Sequence, residues 1–202
     1  MCGSREVCLY AMQAQKVLDV IERDGVCYSR AEYVRRKYAE SAPIFLTAYG
    51  WFVREAEKIV PRPGNAEYPY WAFRDLYSVD GSGGGCLLKL RVPDNEAVFF
   101  DVHDWNKILR LSYIGQDEED EQAFAWELEQ RGLNTNQIML TSFYPEWKEK
   151  ITDSWKRLFR HHEAILAGDT SGVHSVQASL WRIKKEWICP DHEHGLAGGN
   201  SI

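Results

Sequence analysis

Ser175-Val176-Gln177-Ala178-Ser179-Leu180-Trp181-Arg182-Ile183 is the stretch on which the reading of the fold turns. It alternates as a strand does, because successive side chains point to opposite faces of a sheet. Val176, Ala178 and Leu180 share one face, and Gln177, Ser179 and Trp181 share the other. Trp187 and Ile188 mark one more short strand beyond it. Just upstream lies helical sequence. Pro145 suits a first helical turn, where its missing N–H is no loss. Trp147, Ile151, Trp155, Leu158, Phe159 and His162 then recur at steps of three and four, which predicts one long helix before the turn at Gly168–Gly172.

At the other end, Val7–Met12 is a short apolar run that reads as a strand. Val17, Leu18 and Ile21 follow at helical spacing until Gly25 stops the helix. Gln13 occupies the strand-to-helix junction, where a side chain faces a crevice. A second helix is expected over residues 30–41, with Arg35, Arg36 and Lys37 as a basic patch on a solvated face. Pro43 opens a third, with Phe45, Tyr49, Phe52, Ala56 and Ile59 along one side. Tyr49 and Trp51 lie about 200° apart on such a helix, so they are not expected to share the core.

The segment Tyr68-Pro69-Tyr70-Trp71-Ala72 is the densest aromatic stretch, and its proline favours extended backbone. It reads as a rigid loop displaying Tyr68 and Trp71. Gly81–Gly85 lacks the Lys-Ser/Thr pair and following helix of a phosphate-binding loop, so it reads as a flexible connection. Cys86–Val92 and Ala97–Phe100 around Pro93-Asp94-Asn95 read as a hairpin. Asp101 can cap the next helix, with Trp105, Ile108 and Leu109 on its buried side. The acids from Asp117 to Glu121 open another helix, where they offset its dipole. Strand and helices, a hairpin, helices and a terminal strand pair predict an α+β fold. The expectation is one domain over residues 1–190, with a small, mostly antiparallel sheet, several packed helices and a disordered tail at 191–202.

Composition bounds the function classes. The 202 residues carry 8 Trp, 10 Tyr and 8 Phe, so large aromatics dominate either the core or a pocket wall. A net charge of −6 argues against holding nucleic acid by bulk charge, although nucleic acid is not excluded as a substrate. No apolar run reaches membrane-span length and no leader pattern is present, so a cytoplasmic protein with no membrane partner is expected. Five cysteines without repeated spacing predict reduced thiols. The tail Cys189-Pro190-Asp191-His192-Glu193-His194 lacks a second ligand pair, and no metal is expected. His103, His161, His162 and His174 look scattered, with His162 a core residue.

The chain resembles a family of bacterial domains of unknown function of roughly this size. The residues that carry the likeness run from about Cys8 to Ile188. They are Gln13, Tyr49 with Trp51, Tyr68-Pro69-Tyr70-Trp71-Ala72, Asp101 with Trp105, Ser154-Trp155, and Gln177 with Trp181. The element order also looks like that of small ADP-ribosyltransferases, which hold NAD in a crevice of a split sheet. That likeness implies NAD as cofactor. Gln13 stands near the first-strand group and Gln177 near the late-strand group as catalytic candidates. Tyr49, Tyr68 and Trp71 are placed to stack on the cofactor, and Asp101 and Trp181 join them as binding candidates. Gln177-Ala178-Ser179 departs from the Gln/Glu-x-Glu pattern of those enzymes, and an amide stabilises a developing cation less than a carboxylate does.

Two other classes remain open. One is a non-catalytic interaction module or inhibitor, with the acids 117–121 as its surface for a protein partner. The other is a single-stranded nucleic-acid reader built on Tyr70, Trp71 and the Arg35-Arg36-Lys37 patch. A toxin, defence or counter-defence protein would fit either the enzyme or the module.

Overall fold

In a computed structural model of the chain, residues 5–30, 42–82 and 84–190 are described. The expected helix over residues 30–41, its basic patch, and the tail at 191–202 with His192 and His194 lie outside the described residues.

Strand β1 (Glu6–Gln13) passes through Ala14 into helix α1 (Gln15–Asp24), which Gly25 ends in the left-handed conformation, returning its N–H to the Ile21 carbonyl. Strand β2 (Val26–Tyr28), helix α2 (Ala42–Ala56) and strand β3 (Tyr70–Phe73) follow. Strands β4 (Cys86–Pro93) and β5 (Ala97–Asp101) precede helix α3 (Val102–Leu109). The helical stretch contains α4 (Glu118–Gln130), α5 (Thr135–Leu140), α6 (Pro145–Ser154) and α7 (His162–Ala167). Strands β6 (Val176–Leu180) and β7 (Arg182–Lys184) close the fold.

Five strands form one antiparallel sheet in the order β4-β1-β3-β6-β5, and β2 pairs with β7 in a second, small sheet. This is the expected α+β domain with a mostly antiparallel sheet. The expected hairpin is not there. β4 and β5 sit at opposite margins of the sheet, because β1 occupies β4 along all eight of its residues. Only Asp94–Glu96 joins them. Five flat strands would hold their margins about 19 Å apart, whereas the four steps from Pro93 to Ala97 span at most about 14 Å. The sheet therefore coils on itself, and the short connection fixes that curvature.

Two apolar layers result. On one face, Leu9, Ala11, Tyr70, Ala72, Leu90, Phe99, Ala178 and Leu180 pack with Ile21 of α1. On the other, Val98, Phe100, Trp105, Trp155 and Trp181 pack with Tyr49, Trp51 and Phe52 of α2. Both Tyr49 and Trp51 are buried, against the expectation from their angular separation. Helix α2 has neighbours on opposite sides. Tyr49 meets Trp71 and Trp105, while Trp51 meets Trp155 and Phe159.

Three further expectations are corrected. The long helix from Pro145 breaks at Trp155 into a 3-10 turn (Trp155–Phe159) before α7. Three residues per turn set Trp155 and Leu158 one above the other, and both are fully buried. The strand over 175–183 is two strands in different sheets, parted at Trp181, whose indole N–H donates to the Val60 carbonyl at 2.8 Å. Trp187 lies in a 3-10 turn, and Ile188 makes one isolated bridge to Leu90.

Candidate functional site: an aromatic cleft at the end of the central strands

Where β1 runs into α1, a cleft of about 430 Å³ opens between the strand ends and the helix. Its lining includes Gln13, Lys16, Cys27, Tyr49, Tyr70, Trp71, Phe73 and Asp80. That volume lies within the range of small-molecule sites.

The aromatic wall is rigid for identifiable reasons. Trp71 belongs to β3 and not to a loop, so its backbone is held by the sheet through its pairing with Ser179. Its indole N–H donates to the Tyr49 hydroxyl at 3.0 Å. Its ring meets those of Phe52 and Trp105 at 5.1 Å and 5.0 Å. Tyr70 points to the opposite face, and its hydroxyl donates to the Cys27 sulfur at 3.1 Å. The aromatic segment is thus a central strand with side chains on both faces. The proline that suggested a loop stands just outside the strand, as ladder hydrogen bonding requires.

The polar side of the cleft is the helix start. Gln13 ends β1, and Ala14, the N-cap of α1, provides no side-chain acceptor for the first-turn amides. Lys16 lines the same edge, so the positive end of the helix dipole and a lysine side chain adjoin one cavity. The glycine-rich segment frames this corner. Gly85 has φ of 132°, and a Cβ there would stand 2.7 Å from the Gln13 carbonyl oxygen. The segment read as a flexible connection is therefore, at Gly85, a close backbone approach that only glycine allows.

Gln13, Tyr49, Tyr70 and Trp71 meet at this cleft, whereas Tyr68, Asp101, Gln177 and Trp181 do not line it. Tyr68 stands behind Tyr49, their rings edge to face at 5.4 Å. Trp181 is buried in the core against Val60. Gln177 is buried one strand away, directly opposite Phe73 in register. Its side-chain carbonyl oxygen has no hydrogen-bond partner among the described residues. Cys27, Lys16 and Asp80 were not singled out in the sequence. Lys16 carried a signal, its place three residues beyond Gln13, whereas Cys27 and Asp80 are brought in by tertiary packing alone.

Asp101 sits at the other end of the strands, where it pairs with Val176, and it caps α3 as expected. Burial works to raise its pKa but is outweighed by N–H donors from His174 and His103, so the carboxyl is held below its usual range. The His174 ring Nδ1 lies 3.0 Å from the same carboxylate, and the His103 ring lies beside it with centroids 4.5 Å apart. These two histidines, which look scattered in the sequence, are neighbours. His162 is a core residue as expected, and its Nδ1 accepts the Phe99 N–H. The acids 117–121 are largely engaged within the chain. Asp117 accepts the Asp120 N–H, Asp120 the Gln116 N–H and the Tyr113 hydroxyl, and Glu121 the Lys107 ammonium.

The fold and cleft define a compact α+β domain with an aromatic-walled cavity at the end of its sheet. The chain belongs to the family described as domain of unknown function (DUF3841), whose model it matches over residues 8–189. No curated protein and no solved structure matches it. Among the described residues, no helix is long and apolar enough to cross a membrane.

Proposed function

We propose that the cleft binds a nucleotide, with NAD as the foremost ligand. The observation that carries this reading is the pairing, in one cavity, of a fixed aromatic wall with an uncapped helix start and Lys16. A planar base or nicotinamide ring suits Trp71 and Tyr49. A phosphate suits the α1 amides and the lysine, because helix N-termini favour anions. Gln13 and Asp80 supply polar groups for ribose or amide contacts. Recognition by a few polar groups within an apolar wall is the usual plan of such sites.

The reading favours binding over ADP-ribosyl transfer. Gln177, the late-strand candidate, is one strand away from the cleft lining, and its uncharged amide is a weak partner for an oxocarbenium-like state. The acidic surface gives an interaction module less support, since Asp117, Asp120 and Glu121 already serve helix α4 and its neighbours.

Calorimetric titration of the full chain with NAD, ADP-ribose and nicotinamide mononucleotide tests the proposal. Saturable binding of at least one, weakened at least tenfold by Trp71→Ala and by Lys16→Ala, is expected. Absence of heat and of thermal stabilisation with all three ligands sinks it.

A further inference from the structure

We infer that Asp101, His103 and His174 form a binding site for a divalent transition ion, zinc above all. Each residue offers one ligand atom, and the three atoms lie within 4.8 Å of one another. The site is independent of the nucleotide reading, since none of the three lines the aromatic cleft.

The fold brings the set together. Asp101 ends β5 and caps α3, which places His103 in the first turn of that helix. His174 comes just before β6, whose Val176 pairs with Asp101. The Asp101 carboxylate is buried and accepts the backbone N–H groups of His103 and His174 at 3.0 Å each. Those amides keep it charged and fixed in direction, as a metal ligand requires. The imidazoles are its opposite in exposure: their side chains are 64% and 72% exposed, so solvent and an incoming ion can reach them.

The distances suit a small ion. Two ligands bound at about 2.0–2.1 Å to one tetrahedral zinc stand roughly 3.3–3.4 Å apart. Asp101 Oδ2 and His174 Nδ1 are 3.0 Å apart, so they need part by only a few tenths of an ångström. The ion takes the place of the proton on Nδ1, and the neutral imidazole takes one up at Nε2 from solvent, so His174 binds as a neutral ligand with no net proton release. His103 Nδ1 lies 3.9 Å from Asp101 Oδ1, so a small rotation of an exposed ring completes the set. Two imidazoles and one carboxylate suit zinc better than calcium or magnesium, which prefer oxygen donors. Three protein ligands leave a tetrahedral ion one position for water, the pattern of sites that do chemistry.

The test is zinc titration of the metal-stripped full chain, with metal content measured after dialysis. One zinc per chain is expected, with its dissociation constant raised at least tenfold by His103→Ala and by His174→Ala. His174→Ala keeps the backbone N–H on Asp101, and circular dichroism checks that each variant is folded. A His192→Ala/His194→Ala double variant should keep its zinc, which separates this site from the cysteine- and histidine-bearing tail. Cobalt substitution should give visible bands without thiolate charge transfer. Unchanged affinity in both single variants, loss of zinc in the tail variant, or a thiolate band would each overturn the assignment.

Discussion

Trp71 and Tyr49 are joined by an indole-to-hydroxyl hydrogen bond of 3.0 Å that ties the central strand β3 to helix α2. The bond fixes one wall of the cleft, so binding and stability should respond together. Tyr49→Phe removes the acceptor while keeping the ring, and is expected to cost about 1 kcal/mol. Urea unfolding measures the loss. NAD binding should weaken in the same variant, because Trp71 is then free to change its tilt.

Gly85 should tolerate no side chain. In Gly85→Ala the Cβ would meet the Gln13 carbonyl at 2.7 Å, in a backbone region that L-residues avoid. A loss of roughly 2 kcal/mol or more in unfolding free energy is expected. Ligand affinity should fall beyond what Gly50→Ala causes, because Gly85 braces the strand end that carries Gln13. Equal effects from the two variants would show that Gly85 does not shape the cleft.

The buried Gln177 amide oxygen has no hydrogen-bond partner among the described residues, and a buried polar atom without one costs free energy. Gln177→Met keeps the length of the side chain and removes the polar group. Thermal unfolding should show the variant unchanged or more stable, by up to about 1 kcal/mol. A clear destabilisation would mean that the oxygen is paired in solution, by water or by a residue outside the described ones.

His162 sets a pH dependence whose sign follows from its surroundings. Burial lowers its pKa, and its ring nitrogen accepts the Phe99 N–H, so the folded chain holds it neutral. The unfolded chain takes up the proton near the ordinary value of about 6.5, so it binds more protons than the folded chain below that pH. Stability is therefore full above about pH 6.5 and declines as the pH falls towards the depressed folded value. His162→Gln retains an acceptor without titrating. Between about pH 7 and about pH 5 it should lose less stability than the parent in denaturant titrations. Parallel profiles for the two would remove His162 as the cause.

Element boundaries were legible where one residue carries its own local physics. Gly25 ends α1 and Asp101 caps α3, each as the sequence predicts, and the acids from Asp117 onward do open α4. The two faces of β6 were also legible, since parity alone assigns them. Pairing was not. Alternation repeats every two residues and is satisfied by any neighbouring strand, so nothing in Cys86–Phe100 reveals that β4 and β5 part to opposite margins.

The site divides along the same line. Gln13 was marked by its place between strand and helix, a local feature, and it does line a cleft. Trp71 is marked by aromatic density, but extended backbone beside Pro69 suits a rigid loop and a central strand equally, so the sequence does not tell the two apart. Asp101 and His174 stand 73 positions apart in the chain, and they touch because β5 and β6 are paired. The sequence by itself determined the α+β class, the helix caps and the aromatic character of the core, all set by short-range preferences. Only the tertiary structure decided which of those residues meet, because contacts between distant segments are selected by the packing of the whole chain.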